Sequence, residues 1–256
     1  MVALTAPGTV IRPRVTPSLK TTLFTGDNPT TMFSLESFHQ EYETDISDLA
    51  IRDRHFRLFV PKSIDKFLDH KDIFHDFPLW SKIWEVSIIL ADYLAGMPVD
   101  SEKSFLEIGC GMGVVGVVAS AFGHRVTMTE YNPDALNFSR ANTLANLSAD
   151  DAGLEITELD WSKPRLEGLF DYIIGSEVIY KEKDYQPILK LLKTYLRPSG
   201  EIILAEGVRK TSMEFFRQMS ELFDITAQKK TLRSEGEEFR VILARMKFKN
   251  RSQPSQ

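Results

Sequence analysis

Apolar and polar positions change period several times along the chain, and each change predicts an element. In "HFRLFVP", residues 55–61, apolar residues alternate with polar ones as far as Pro61, the pattern of a half-buried strand. The stretch before it, "ESFHQEYETDISDLAI", opens with helical spacing and drifts into alternation. "SIDKFLDHKDIFHDF" is acidic and irregular, which predicts a short helix followed by a loop. In "PLWSKIWEVSIILADYLAG" the residues Trp80, Trp84, Ile88, Ala91 and Ala95 share one face at helical spacing. Pro78 suits the first turn of that helix, and Gly96 followed by Pro98 ends it.

From there strand and helix patterns alternate. "SFLEI" predicts a strand, "VVGVVASAFG" a helix ending at Gly123, and "RVTMTE" a second strand. Asn132 caps the next helix, with Pro133 in its first position and an end near Leu147. "LEITELD" and "FDYIIGS" are the third and fourth strands. "YQPILKLLKTYL" is a helix closed by "RPSG", and "EIILAEG" is the fifth strand. "SMEFFRQMSELF" is helical, and "FDITAQKKTL" and "EFRVILARM" form a closing strand pair across the polar turn "RSEGEE". Strands separated by helices of this length require a mostly parallel sheet with helices on both faces, and the closing pair adds an antiparallel strand. The fold expected is a doubly wound α/β domain over residues 78–246, preceded by a strand and helix addition over 36–77.

Composition narrows the function classes. The 256 residues are 43% hydrophobic and 26% charged, with a net charge of −5, so no overall basic pull toward nucleic acid exists. No run approaches the roughly 20 apolar residues of a membrane span. Cys110, the single cysteine, excludes an intramolecular disulfide and fits the reducing cytoplasm. Residues 1–35 are Thr-rich and basic, faintly like a transit peptide. Pro7, Pro13, Pro17 and Pro29 would break the amphipathic helix such a peptide needs, so a disordered extension is expected, with Met32 a second plausible start. Residues 247–256 read as a solvated tail. His70, His75, Asp69, Asp72 and Asp76 crowd one segment without clean metal-ligand spacing, and a solvated acidic loop rimming the substrate entrance is expected there rather than a metal site.

The chemistry concentrates in "FLEIGCGMG". Gly109, Gly111 and Gly113, directly behind a strand, let the backbone turn tightly and approach a ligand where a Cβ would collide. Gly111, Gly113 and Gly116 also satisfy the dinucleotide pattern GxGxxG, but there the first glycine follows the strand at once, and counting from Gly109 its last position falls on Val114. Glu107 would repel a pyrophosphate and attract a cationic amino-acid moiety. S-adenosylmethionine carries an ammonium and a sulfonium and no phosphate. Glu130 ends the next strand, where an acid accepts from ribose hydroxyls in NAD and S-adenosylmethionine alike. Asp160 can accept from an adenine amino group, and Trp161 either stacks on the ring or packs.

"LEIGCGMGVVG", "TEYN", "LDW" and "GSEVIY", in this order and spacing, resemble the seven-strand class I methyltransferases that use S-adenosylmethionine, over roughly residues 78–245. "IWEVSIILADYL" and "SEVIY" resemble the branch of protein-lysine methyltransferases marked by a D/E-x-x-Y/F motif. The resemblance implies a seven-stranded Rossmann-like sheet. It also implies a cofactor site holding Trp84, Glu107, Gly109, Cys110, Gly111, Gly113, Glu130, Asp160, Trp161 and Ser176. Glu177 and Tyr180 would then line the acceptor pocket, the acid orienting the ammonium or taking its proton through water, the ring offering a cation–π face. Trp80 reads as core. "SEVIY" lacks the prolines of the N/D-P-P-Y motif that base methylation resembles, and Cys110 lies in the glycine loop, away from any role as a cytosine nucleophile. The acceptor implied is a protein lysine. A small-molecule amine remains open, as does a non-catalytic binding module.

Overall fold

In the computed structural model, which describes residues 33–68, 77–148, 153–234 and 237–249, the alternation becomes one seven-stranded sheet. Its strands are β3 (Ser104–Ile108), β4 (Arg125–Glu130), β5 (Leu154–Glu158), β6 (Phe170–Ser176), β7 (Leu196–Gly207), β8 (Phe223–Ser234) and β9 (Glu237–Phe248). The order β5-β4-β3-β6-β7-β9-β8 is parallel from β5 through β7. β9 runs antiparallel to both its neighbours. Successive strands walk outward from β3 in one direction and from β6 in the other, so the order reverses between these two. A doubly wound sheet binds its ligand at that crevice.

β3 shows how alternation builds the layers. Phe105 points into a core with the helices α2 (Glu85–Ala95) and α3 (Val114–Ala121). Leu106 and Ile108 point to the other face, into a core with α5 (Tyr185–Tyr195) and α6 (Lys210–Met219). The N-terminal addition consists of α1 (Leu35–Glu41) and the hairpin β1 (Thr44–Ile51) and β2 (Arg54–Pro61). The hairpin sends Leu49, Ile51, Phe56 and Leu58 into the α2–α3 core. Phe38 and Tyr42 pack with Phe138 of α4 (Pro133–Asn146) and with Met112 of the glycine loop.

Three expectations change, the first being that Lys247 and Phe248, expected in the tail, complete β9. The helix expected from Pro78 starts at Glu85. Residues Leu79–Ser81 make a short 3₁₀ turn, and Trp84 is extended at ψ 141°. The Trp84 indole N–H donates to the Leu79 carbonyl at 2.8 Å, which fixes this turn against the helix start, so Trp80 and Trp84 sit outside the helical stripe. "RPSG" does not close α5 by a loop but opens β7, whose pairing with β6 shifts register between Phe170 and Tyr172. The acidic segment at 69–76 and the residues before Phe33 lie outside the described residues. No helix among the described residues is long and apolar enough to cross a membrane.

Candidate active site

The loop after β3 takes its shape from three left-handed glycines, Gly109 at φ 65°, Gly111 at 54° and Gly113 at 84°. Side chains avoid that region, so the sequence needs glycine at each. Cys110 N–H donates to the Thr129 carbonyl at 2.9 Å and Gly111 N–H to Glu130 Oε2 at 3.0 Å, tying the loop to the end of β4. Glu130 Oε1 accepts from the N–H groups of Tyr131 and Asn132, at 2.8 and 3.0 Å. A carboxylate has about four acceptor positions, so one is left for a ligand hydroxyl.

A cavity of about 490 Å³ opens over this loop. Gly109, Cys110, Gly111, Glu130, Asp160, Trp161, Trp84 and Ser176 all line it, as do Glu177 and Tyr180. Residues from five separate stretches, 84 to 180, thus meet on one wall. Glu107 and Gly113 do not. Gly113 sits behind the wall against Ser139, and Glu107 is 2% exposed, with Oε2 unpartnered and 2.5 Å from where a Cβ on Gly116 would stand. Burial pushes the Glu107 carboxyl up to about 8, against the Gly116 N–H that favours its anion. Asp160 is the opposite case. Ser162 donates to it from both Oγ and N–H, which holds its carboxyl below the usual range.

These residues fit S-adenosylmethionine. The cradle over Gly109 is one that a Cβ would fill, since it would meet the Trp161 indole at 3.0 Å. At the ends of β4 and β5 the cavity offers the carboxylates of Glu130 and Asp160, acceptors for hydroxyl and amino groups that would repel a phosphate. Trp80, expected as core, serves both purposes. Its ring packs on Phe67 and Phe138, while its buried Nε1 has no partner on the cavity wall.

At the far end of the cavity, β6 ends in a strained turn. Glu177 has φ 52° and is 7% exposed. Its Oε1 accepts from Gly207 N–H at 2.6 Å and its Oε2 from Arg209. The same guanidinium reaches Glu206 Oε2 at 3.2 Å and lies 4.8 Å from the Tyr180 ring centroid. Burial, then the charge of Glu177, pushes the Tyr180 phenol up, so it stays neutral. Glu206 and Arg209 were not legible as site residues. One trace existed, a glutamate ending the apolar run "EIILAEG" at the ligand end of the sheet. Among the described residues no group of three or more His, Cys, Asp or Glu is placed to hold a metal ion.

The sheet order, the glycine loop at its switch point and the carboxylate at the end of the adjoining strand define a doubly wound α/β domain with its ligand site at that crevice. P. horikoshii TYW2 in complex with MeSAdo shares the fold, at 14% identity over 79% of this chain and 71% of that one, with a TM-score of 0.53. Residues 76–222 match the family described as lysine methyltransferase, more than half of the chain, and the chain belongs to that family. It is 29% identical over 167 residues to protein N-lysine methyltransferase METTL21A of Xenopus tropicalis, covering 61% of this chain and 76% of that one. It is 26% identical over 142 residues to EEF1A lysine methyltransferase 3 of the same frog, where it spans 62% of the relative's length and 54% of its own.

Proposed function

We propose that this protein transfers a methyl group from S-adenosylmethionine to the side-chain nitrogen of a lysine in a protein substrate. The observation that carries this reading is the acid–aromatic pair Glu177 and Tyr180, on the wall of the same cavity as the glycine loop. The family assignment and the names of the two relatives support it.

Bound in the cavity, S-adenosylmethionine supplies an electrophilic methyl on a sulfonium. The protein's part is alignment and exclusion of water, since an in-line displacement on a thioether leaving group needs no general acid. Glu130 and Asp160 would hold the hydroxyl and amino ends of the cofactor, Trp161 and the bare Gly109 backbone its flat ring, and Trp84 and Ser176 the walls. The acceptor lysine starts as an ammonium with a pKa near 10.4 and must lose a proton to become a nucleophile. Glu177 attracts and orients that ammonium through its carboxylate, and the neutral Tyr180 ring walls the channel, so that water at the mouth carries the proton away. The buried free thiol of Cys110 agrees with a reducing compartment, and the cytoplasm is the compartment proposed.

Methyl-labelled S-adenosylmethionine, a cell lysate and either wild type or Glu177→Ala test the reading. Label in a discrete protein band, lost with the variant, is the expected result. Label confined to small molecules would move the acceptor to a metabolite amine, and no label with cofactor binding intact would leave a binding module.

A further inference from the structure

We infer that Arg209 is the positioning residue of the acceptor site, its guanidinium tying Glu177 to the end of β7 and bracing the Tyr180 ring, with Glu206 as its buried anchor. The inference rests on the reading of Glu177 and Tyr180 as the acceptor pair.

Arg209 occupies the N-cap of α6, a place where its residue type is unexpected. N-caps favour Ser, Thr, Asp or Asn, and a cation there opposes the helix dipole. A guanidinium has no acceptor with which to cap the free N–H groups. Its contacts instead run away from the helix, to Glu177, to Glu206 and to the Tyr180 ring. Glu206 is fully buried and is pinned from the other side by Val178 N–H at 2.9 Å. Two buried carboxylates share this single cation, and burial together with the Glu177 charge pushes the Glu206 carboxyl up to about 8. Removing Arg209 would leave the Glu177 carboxylate without its compensating charge and Glu206 without one of its donors. A lysine keeps the charge and can donate to both carboxylates, but it has no planar guanidinium to set over the Tyr180 ring. Gly207 N–H reports on the arrangement, because its partner is Glu177 Oε1 and not a neighbouring strand.

The test uses the full chain with labelled S-adenosylmethionine and the protein band it labels, and also amide hydrogen exchange without substrate. Arg209→Met should lower kcat about 100-fold, as misplacement of an aligned group does, with cofactor Kd within about twofold. Gly207 exchange should rise at least about tenfold. In a Glu177→Gln background the same substitution should change kcat less than about twofold, because Arg209 acts through Glu177. Should Arg209→Met fail to fold, Arg209→Lys carries both measurements, with the same directions and smaller changes. Wild-type Gly207 protection in a folded variant, or an equal kcat loss in both backgrounds, would overturn the inference. Full activity of Glu177→Gln alone would instead overturn the acceptor reading, and Gly207 exchange would still judge Arg209.

Discussion

A Cβ added at Gly109 would stand 3.0 Å from the Trp161 indole and 3.1 Å from Val178 Cγ1, at a φ where L side chains are strained by about 1–2 kcal/mol. Gly109→Ala must therefore move either the loop or the Trp161 ring that closes over it. Its Kd for S-adenosylmethionine should rise at least about tenfold by calorimetry, and an unchanged Kd would separate this loop from cofactor binding. Glu107 makes a different prediction. Its folded-state carboxyl, at about 8 against an ordinary 4.5, keeps a proton that the unfolded chain gives up. The native state therefore binds more protons over that interval, and Glu107 lowers stability as pH rises through it. Melting the cofactor-free proteins checks this. Glu107→Gln should gain on wild type progressively between pH 5 and pH 8, whereas a difference that ignores pH would show that Glu107 is not buried as a neutral acid. Glu107 was legible as a functional candidate from its place beside the glycines. That its side chain turns in toward Gly116 rather than out to the cavity depends on α3 packing, which the local pattern does not contain.

At the scale of elements, the link between the N-terminal hairpin and the sheet domain is made by amides. Asn142 Oδ1 accepts from Phe59 N–H at 2.6 Å, and its Nδ2 donates to the carbonyls of Phe59 at 3.2 Å and Met112 at 2.9 Å. One turn on, Asn146 treats Arg57 likewise, at 2.8 and 2.9 Å. Residues i and i+4 of α4 thus match positions two apart on β2, and the helix stands in for a missing strand. Asn142→Leu strands the half-buried backbone groups of Phe59 and the buried carbonyl of Met112, so unfolding free energy should drop by about 2 kcal/mol. A urea midpoint equal to wild type would contradict this. Most elements were readable because period and caps agree, as at β4, β6 and the Asn132–Pro133 start of α4, where Asn132 Oδ1 accepts from Ala135 N–H at 3.0 Å. The segment from Pro78 to Trp84 misled because two tryptophans at helical spacing serve the cavity wall. Their spacing reflects a 3₁₀ turn held by an indole hydrogen bond.

Over the whole molecule, the cavity draws on residues from Phe77 to Pro187, and Arg209 meets it at Glu177. The lining around the glycine loop was legible because most of its residues fall on strand ends in a fixed order, β3, β4, β5 and β6. The surroundings of Glu177 were less so, since Glu206 and Arg209 reach it only through the pairing of β6 with β7. In the proposed reaction the methyl group goes to a protein lysine. The most direct measurement labels protein with methyl-labelled S-adenosylmethionine and this enzyme, hydrolyses it to amino acids and identifies which residue carries the label. Label is expected in lysine methylated on its side-chain nitrogen. Label in methylhistidine, methylarginine or any other residue, with none in lysine, would contradict it.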